Sequence, residues 1–210
     1  LKGAPPAGLV MLLHGCKQSP VDFAKGTGMN QLADEHGLIL VYPAQSRGAN
    51  MQSCWNWFRP TDQKRGSGEP AILAGLMQQL QRDHNIPKGR SFVAGLSAGA
   101  AMAVVLGQTY ADVFDAVGAH SGLPYKAAQD VPSATDTSET IPTIIFQGNA
   151  DSTVNAANAQ AIAATSAPSG TELLDDGAVA GRSYNRRTVL APTGHSVMEE
   201  WMIEGLGHAW

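Results

Sequence analysis

The chain has 210 residues, enough for one large domain with its own core and too few for two of ordinary size. Its 14 basic and 18 acidic side chains give a net charge of −4 without a run of either sign, which argues against nucleic acid or an anionic membrane as partner. Two cysteines are too few for a disulfide scaffold or a structural zinc site. We therefore expect a soluble, monomeric, single-domain protein over residues 1–210.

Apolar runs alternate with segments of helical spacing along the chain. The continuous apolar runs at residues 9–13 and 38–42 are typical of strands covered on both faces, and no run is long enough to span a bilayer. The other predicted strands are residues 92–94, 116–119, 143–146, 184–190 and 197–204, and the predicted helices are residues 20–36, 70–85, 98–110 and 154–165. This alternation predicts an α/β protein with a mostly parallel central sheet flanked by helices.

Two of these helices have a predicted buried side. The helix at residues 20–36 is expected to bury Phe23, Met29 and Leu32 and to end at Gly37. The helix at residues 70–85 is expected to bury its apolar residues at helical spacing, which are Ile72, Leu73, Leu76 and Leu80. Residues 43–69 and 122–140 lack an apolar period and are predicted to be long loops, the first of them functional.

The pentapeptide Gly95-Leu96-Ser97-Ala98-Gly99 joins a predicted strand to a predicted helix. A serine in such a turn sits on a strained elbow above the sheet edge, and the small flanking residues let strand and helix approach closely. Ser97 is therefore a candidate nucleophile for acyl transfer. The pattern is also common in chains rich in glycine, where it marks an ordinary tight turn. A base and an acid downstream are needed to decide between the two.

Two later strands end at residues of the required kinds. Asp151 follows the strand at residues 143–146, and His208 follows the strand at residues 197–204. Reactive groups collect at the carboxyl ends of parallel strands, and the order Ser97, Asp151, His208 is the order in which α/β hydrolases supply a nucleophile, an orienting acid and a base.

Other acids and histidines are weaker candidates. Asp175 and Asp176 are predicted to be solvated turn residues, and Asp112 and Asp115 to cap or lie on the surface. The histidines that we set aside are His36 and His84 at helix ends, His195 before a strand, and His120, which follows a strand but leaves no earlier strand for the acid.

Two backbone amides are candidate donors to an oxyanion. Ala98 follows the nucleophile, and Cys16 lies in the turn His14-Gly15-Cys16 after the first strand. A buried thiol and a simple strand exit are the alternatives at this turn. The Cys16 side chain would be free to form a disulfide with Cys54, although two separate thiols are the other possibility. Such a bond would bring Trp55 and Trp57 to the cleft as substrate contacts. The alternative is that one of the two belongs to the core.

Four motifs together resemble one known family. They are Leu13-His14-Gly15-Cys16, Ser53-Cys54-Trp55-Asn56-Trp57-Phe58, the elbow around Ser97, and Gly207-His208-Ala209-Trp210. In this order they resemble the polyhydroxybutyrate depolymerase family of esterases, which is related to feruloyl and acetylxylan esterases of carbohydrate esterase family one. The resemblance implies an α/β-hydrolase fold, no cofactor, no metal, secretion to the outside of the cell or the periplasm, and the site residues proposed above.

The resemblance leaves the substrate open. Ala100 stands where a glycine often follows the elbow, the chain stops at Trp210 where relatives usually continue with a Gly-rich tail, and we expect a leader and some first strands to lie outside these residues. A polyester or oligoester of 3-hydroxybutyrate is the first expected substrate, and feruloyl or acetylxylan esters are the second. A hydrolase fold that binds a ligand without catalysis is a third possibility.

Overall fold

The sheet places the ends of its parallel strands along one edge. A computed structural model describes residues 5–128, 141–167 and 169–210. Its strands are β1 Gly8–Leu13, β2 Leu38–Val41, β3 Ser91–Leu96, β4 Ala116–His120, β5 Thr143–Gly148, β6 Thr171–Val179, β7 Arg182–Leu190 and β8 Ser196–Ile203. They form one sheet in the order β2-β1-β3-β4-β5-β8-β7-β6, in which only the β8-β7 and β7-β6 pairs are antiparallel. The predicted fold class, a mostly parallel sheet with helices, is confirmed.

The described helices are α1 Pro20–Thr27, α2 Met29–His36, α3 Gly68–Asp83, α4 Ala98–Thr109 and α5 Ala157–Ser166. The prediction of one helix over residues 20–36 is wrong, because Gly28 takes a left-handed φ of 63° that ends α1 and begins α2. This break turns Leu32 outward, where it is 45% exposed, while Phe23 stays buried. The predicted loop at residues 122–140 lies outside the described residues from position 129 onward.

Helix α3 turns a different face inward from the one predicted. Leu73 is buried and Leu80 packs against the core, but Ile72 is 71% exposed and Leu76 is also exposed. The inward face is centred on Ala74 and Met77 instead. A small residue at the centre of the contact lets α3 approach α4 closely. The apolar spacing was compatible with two inward faces of the helix, and close packing against α4 favours the face with the small residue.

Strand β6 is absent from the prediction, and the turn predicted at Asp175 and Asp176 is wrong. Both residues lie on β6, which pairs along its whole length with β7 at the edge of the sheet. Asp175 accepts a hydrogen bond from Arg186 on β7 at 2.9 Å. Acidic residues and glycine have a low intrinsic propensity for strands, and here the pairing with β7 overrides that propensity. The charges also protect an exposed sheet edge.

Helix α4 is the buried centre of the fold, and every residue from Ala98 to Thr109 is buried. It reaches the sheet through two glycines. A Cβ atom on Gly99 would lie 2.1 Å from the Leu13 carbonyl oxygen of β1, and one on Gly95 would lie 2.4 Å from the Gly99 carbonyl carbon. Glycine at both positions therefore allows β1, β3 and α4 to meet at backbone contact distance.

A disulfide ties the long loop after β2 to the loop after β1. It joins Cys16 and Cys54 across 38 residues, and both cysteines are accounted for by this bond. The disulfide predicted from the sequence is confirmed, and the alternative of two thiols is wrong. Next to it the Lys17 amide donates to the Gln52 carbonyl at 2.7 Å, so covalent and hydrogen bonds hold the same two loops together.

We expect Gly99→Ala to lower the free energy of unfolding by about 3 kcal/mol, because its methyl group would overlap backbone that cannot move aside. Gly75→Ala is the matched control: it lies on α3 with nothing within 4 Å of an added Cβ. There the substitution should raise the free energy of unfolding by about 0.5–1 kcal/mol. Urea unfolding measures both, and equal effects would contradict the packing argument.

Replacing both cysteines by serine is expected to cost about 4 kcal/mol, from the 38-residue separation that the bond spans. The wild-type protein should show no free thiol when denatured without reductant. Thermal unfolding with and without dithiothreitol provides the control: reductant should lower the melting temperature of the wild type and leave that of the double variant unchanged. Two titratable thiols in the wild type would contradict the bond.

Candidate active site

Ser97 occupies a strained turn between β3 and α4. Its φ of 57° and ψ of −120° fall in a region that residues with side chains rarely adopt. The turn is held from both sides: the Ser97 amide donates to the His120 carbonyl at 2.9 Å, and the Ser97 carbonyl accepts from the Ala101 amide at 2.9 Å. The side chain of this half-buried residue therefore projects from a fixed backbone at the carboxyl edge of the sheet.

Asp151 and His208 are joined by a hydrogen bond. The His208 Nδ1–H donates to Asp151 Oδ2 at 2.8 Å, with the Asp151 side chain fully buried and that of His208 23% exposed. The other carboxylate oxygen, Oδ1, accepts from the amides of Thr153 at 2.8 Å and Val154 at 2.9 Å. This arrangement fixes the tautomer of His208 and leaves its Nε2 as an acceptor.

Hydrogen bonds keep the buried Asp151 carboxylate charged. Burial by itself would raise the pKa of Asp151, but the Val154 amide, the His208 side chain, and more weakly the Ser121 hydroxyl and the Thr153 amide outweigh it and lower the pKa to about 2. The Ser121 hydroxyl acts without a hydrogen bond of normal geometry. A carboxylate that stays ionised throughout the neutral range can stabilise a histidine cation beside it.

The segment that carries His208 is fastened to the end of β5. The Ala150 amide donates to the Leu206 carbonyl at 3.1 Å, and the Gly205 amide donates to the Asn149 side chain at 2.8 Å. Beyond His208, the Trp210 ring lies 5.4 Å from those of Phe23 and His120. Backbone hydrogen bonds before the histidine and ring contacts after it set its position.

Ser97 and His208 share His120 as a neighbour. The His120 carbonyl accepts a hydrogen bond from the Ser97 amide, and the charges of His208 and Asp151 shift the pKa of the His120 ring. Within the described ranges the Ser97 hydroxyl makes no hydrogen bond, and none joins it to His208. Catalytic hydrogen bonds are often long in proteins without substrate and shorten in the complex.

Two backbone amides beside Ser97 have no acceptor. Of the hydrogen bonds formed by residues 5–128, 141–167 and 169–210, none uses the Cys16 or the Ala98 amide as donor. Gly15 brings the first of them close, since a Cβ on Gly15 would lie 3.6 Å from Ser97 Cβ. Unpaired N–H groups flanking a nucleophile are the donors that a tetrahedral oxyanion requires.

Buried contacts hold the turn after β1 in place. His14 Nδ1–H donates to the Gly15 carbonyl at 2.8 Å, and His14 Nε2 accepts from the Gln45 amide at 3.2 Å. The two contacts require the neutral ring, and burial accordingly lowers the pKa of His14 although the Gly15 hydrogen bond opposes this. The Gly15 amide donates to Gln18 Oε1 at 2.7 Å, whereas the next amide, that of Cys16, has no acceptor in this network.

The long loop has a polar centre at Glu69. This carboxylate accepts hydrogen bonds from the Asn56 amide at 2.6 Å and from the side chains of Asn56 and Gln45. Burial raises the pKa of Glu69, with these hydrogen bonds acting in the opposite direction. Because Gln45 also binds His14, the loop, the turn after β1 and the start of α3 form one connected network.

The two tryptophans of the loop have different positions. Trp55 is 3% exposed, lies 5.6 Å from the His14 ring and donates from Nε1 to the His14 carbonyl at 3.1 Å. Its surface lies in the core, which is the alternative that the sequence left open for one of the two tryptophans. Trp57 is partly exposed and packs edge-to-face on Phe58 at 5.7 Å.

Sequence reasoning missed the buried polar groups behind Asp151. Gln147 is fully buried and its amide nitrogen donates to the carbonyl of Val154 at 3.0 Å and to Asp151 Oδ2 at 3.3 Å. His120, considered only as a rival base, is buried and its pKa is lowered to about 4, first by burial and then by the charge of His208, against the opposing charge of Asp151. Their position at strand ends next to an acid was the available signal.

The rival residues have structural partners or lie exposed. Asp112 pairs with Arg65 at 2.6 Å, and Asp115 accepts from the Ser91 amide at 2.8 Å. His36, His84 and His195 are exposed. Across the part of the chain that the structure describes, no group of three His, Cys, Asp or Glu residues is arranged to hold a metal ion, and no helix is long and apolar enough to cross a membrane.

Two curated esterases are similar in sequence to part of the chain. The chain is 40% identical over 128 residues to poly(3-hydroxyalkanoate) depolymerase C of Paucimonas lemoignei, which covers 61% of this chain and 31% of that protein. It is 30% identical over 135 residues to feruloyl esterase B of Neurospora crassa, covering 64% and 45% respectively. The chain thus spans between about a third and a half of the length of these relatives.

Structural similarity extends over nearly the whole chain. The acetyl xylan esterase from Aspergillus awamori superposes with a TM-score of 0.81 over 98% of this chain and 85% of that one, at 17% identity, so the α/β-hydrolase fold is shared. The family profile described as Esterase PHB depolymerase matches residues 4–139, more than half of the chain. Strands β1 and β3, the turn at Ser97 and the turn after β1 lie within that match. The chain belongs to the Esterase PHB depolymerase family.

Proposed function

We propose that this chain is a serine esterase that hydrolyses carboxylic esters through an acyl-enzyme. The observation that carries the proposal is the 2.8 Å hydrogen bond between buried Asp151 and His208, at the same sheet edge as the strained Ser97. A carboxylate, a histidine and a serine hydroxyl at three strand ends are the groups that acyl transfer uses. The two unpaired amides beside Ser97 supply the remaining requirement.

In the first half-reaction Ser97 Oγ attacks the ester carbonyl carbon while His208 Nε2 takes the hydroxyl proton. The carbonyl oxygen becomes an oxyanion that accepts hydrogen bonds from the Cys16 and Ala98 amides, each worth about 3 kcal/mol of the barrier. The ester C–O bond then breaks, and His208 gives its proton to the leaving alkoxide. Asp151 stabilises the imidazolium between these steps.

In the second half-reaction water attacks the acyl-enzyme carbonyl and gives a proton to His208 Nε2. The intermediate collapses, the bond to Ser97 Oγ breaks, and His208 returns the proton to that oxygen. The products are the carboxylic acid and the free enzyme. The fixed tautomer of His208 serves both directions of proton transfer, since the Nδ1 proton stays on His208 and remains hydrogen-bonded to the Asp151 carboxylate throughout.

We infer that the substrate is a polyester or oligoester of hydroxyalkanoic acids. The 40% identity to a poly(3-hydroxyalkanoate) depolymerase supports this class over others. Feruloyl and acetylxylan esters are the second candidates, favoured by the 30% identity to a feruloyl esterase and by the fold likeness to an acetyl xylan esterase. Of the two loop tryptophans, we propose only the partly exposed Trp57 as a substrate contact.

We further infer that the protein works in an oxidising compartment, outside the cell or in the periplasm. The Cys16–Cys54 disulfide supports this, because such bonds persist in secreted proteins and are rare in the cytosol. It closes the loop beside the proposed oxyanion donors, so reduction would loosen the site itself. We retain the sequence-based proposals of one domain and a monomer.

Ser97→Ala should reduce turnover of para-nitrophenyl butyrate by a factor on the order of 10⁴ or more, because no other group can form the acyl-enzyme. The assay panel includes a 3-hydroxybutyrate trimer, methyl ferulate and acetylated xylan. We expect the trimer to have the highest kcat/KM in the wild type. Ser183→Ala, which removes an exposed hydroxyl on β7, is the matched control and should leave turnover unchanged. Turnover that survives in Ser97→Ala would remove the nucleophile assignment, and a preference for ferulate or xylan acetate would reverse the substrate ranking.

Asp151→Asn should lower kcat by a factor on the order of 10³ to 10⁴ at neutral pH, since an amide cannot hold His208 in the required tautomer or balance its charge. The wild-type carboxylate has a pKa lowered to about 2, so it contributes fully above its ordinary pKa and is lost only as the pH falls toward 2. Asp176→Asn removes an exposed carboxylate from β6 as control and should leave kcat unchanged. Equal losses in the two variants would contradict the assignment.

A further inference from the structure

A polar cavity of about 590 Å³ lies beside the proposed oxyanion turn. Two segments line it, the turn after β1 with the start of α1 and the long loop after β2. This volume is within the range of small-ligand sites. The disulfide between Cys16 and Cys54 and the hydrogen bond from Lys17 to Gln52 fix the two walls against each other, so the cavity is built into the fold.

Two cations line this cavity without a partner. Lys17 and Arg47 are exposed, and among the residues that the structure describes neither forms an ion pair. The amide groups of Gln18 and Gln52 line it as well, and the Gln18 side-chain oxygen is occupied by the Gly15 amide, which leaves its NH₂ group as a donor. Hydrogen-bond donors and positive charge therefore predominate in this cavity, although the whole chain has a net charge of −4.

One acid, Asp22, also lines the cavity. Its carboxylate accepts a hydrogen bond from the Ser19 hydroxyl at 2.6 Å, and its amide donates to the same hydroxyl at 3.1 Å in the first turn of α1. This carboxylate is thus engaged at the helix N-terminus, where a negative charge is stabilised. Gln45 also lines the cavity, and its side chain donates hydrogen bonds to Glu69 and to the Cys54 carbonyl. Lys17 and Arg47 remain for a ligand.

The cavity is next to the proposed reaction centre. Lys17 is two residues from Gly15, whose Cβ position is 3.6 Å from Ser97 Cβ, so the chain between them spans at most about 7 Å. A group bound by Lys17 would therefore lie next to the turn that flanks the ester attacked by Ser97. The only charged group of a linear hydroxyalkanoate oligomer is its terminal carboxylate.

We propose that this cavity is a carboxylate subsite, in which Lys17 and Arg47 hold the acid end of a hydroxyalkanoate oligomer while the ester next to it is cleaved at Ser97. The inference rests on the proposed function and adds a direction to it. The carboxylate belongs to the leaving hydroxyacid, so short hydroxyacids are released from the carboxyl end of the chain. A neutral ester of the same length lacks the group that the two cations bind.

The test compares a charged and a neutral ligand of equal length. 3-Hydroxybutyrate and its methyl ester are used as inhibitors of para-nitrophenyl butyrate hydrolysis, and the free acid and methyl ester of the 3-hydroxybutyrate trimer as substrates. We expect the acids to bind better, and the double variant Lys17→Gln/Arg47→Gln to weaken acid binding about tenfold, as for loss of hydrogen bonds to charged groups. Methyl ester binding and kcat for para-nitrophenyl butyrate should be unchanged.

Arg82→Gln, which removes an exposed cation from α3, is the matched control and should change neither ligand. Raising the salt concentration to about 0.5 M should weaken binding of the acid alone. Equal inhibition of the wild type by acid and ester, or equal effects of the double variant on both, would overturn the subsite.

Titration calorimetry separates this proposal from the esterase itself. 3-Hydroxybutyrate titrated into the Ser97→Ala protein measures binding without turnover, and the Lys17→Gln/Arg47→Gln changes made in that background should weaken the measured binding about tenfold. If the wild type cleaves no hydroxybutyrate ester, the proposed function fails while calorimetry still decides on the subsite. Heat that is unaffected by the two substitutions would overturn the subsite with the esterase intact.

Discussion

The contact between Gly99 of α4 and the Leu13 carbonyl of β1 is the constraint on which the rest of the site depends. It allows a helix to start directly on top of two adjacent strands, with a distance of 2.1 Å between the carbonyl oxygen and the position where a Cβ would be. No side chain fits there. Because α4 starts so close to the sheet, Ser97 lies at the end of β3 with a positive φ, and the Ala98 amide beside it has no acceptor among the described residues.

The same contact brings the loop after β1 alongside Ser97. That loop has little freedom: His14 is held in its neutral form by one backbone contact on each ring nitrogen, Trp55 closes over it, and the disulfide at Cys16 secures its end. The polar groups of the His14 ring, the Trp55 indole and the Gly15 amide are paired, whereas the Cys16 amide has no acceptor among the described residues. This amide is therefore the donor that remains for an oxyanion.

On the other side of Ser97, a buried charge is stabilised by short-range hydrogen bonds. Burial opposes ionisation of Asp151, yet two amides of the following turn and the His208 ring lower its pKa to about 2. Gln147 and His120 fill the space behind it as neutral groups. The buried groups around Asp151 are neutral hydrogen-bond donors. The negative charge of the carboxylate therefore acts mainly on His208, the partner that keeps solvent exposure.

Much of this was predictable from the sequence. The continuous apolar runs at β1 and β2, the small residues around Ser97 and the polar residues after β5 and β8 depend on short-range patterns, and the parallel sheet follows from them. The failures have a common origin. Leu32 and Ile72 are exposed and Trp55 is buried, although apolar spacing or chemical type favoured the opposite in each case.

Strand β6 shows the same limit from another side. Its acidic residues and glycine give no strand signal of their own, and it exists because β7 offers a paired edge with arginines opposite the acids. Pairing between distant segments is a tertiary property, and a local pattern cannot encode it. The same holds for the position of β8, which lies between β5 and β7 in the sheet.

Residue types within a few positions of one another were enough to predict seven of the eight described strands, the elbow, and the residues proposed as acid, base and oxyanion donors. The tertiary structure decided which of the aromatic residues is core, which amides lack an acceptor, and that Lys17 and Arg47 line one cavity. Those properties depend on distances between segments far apart in the chain, and such distances are set only when the sheet and α4 pack together.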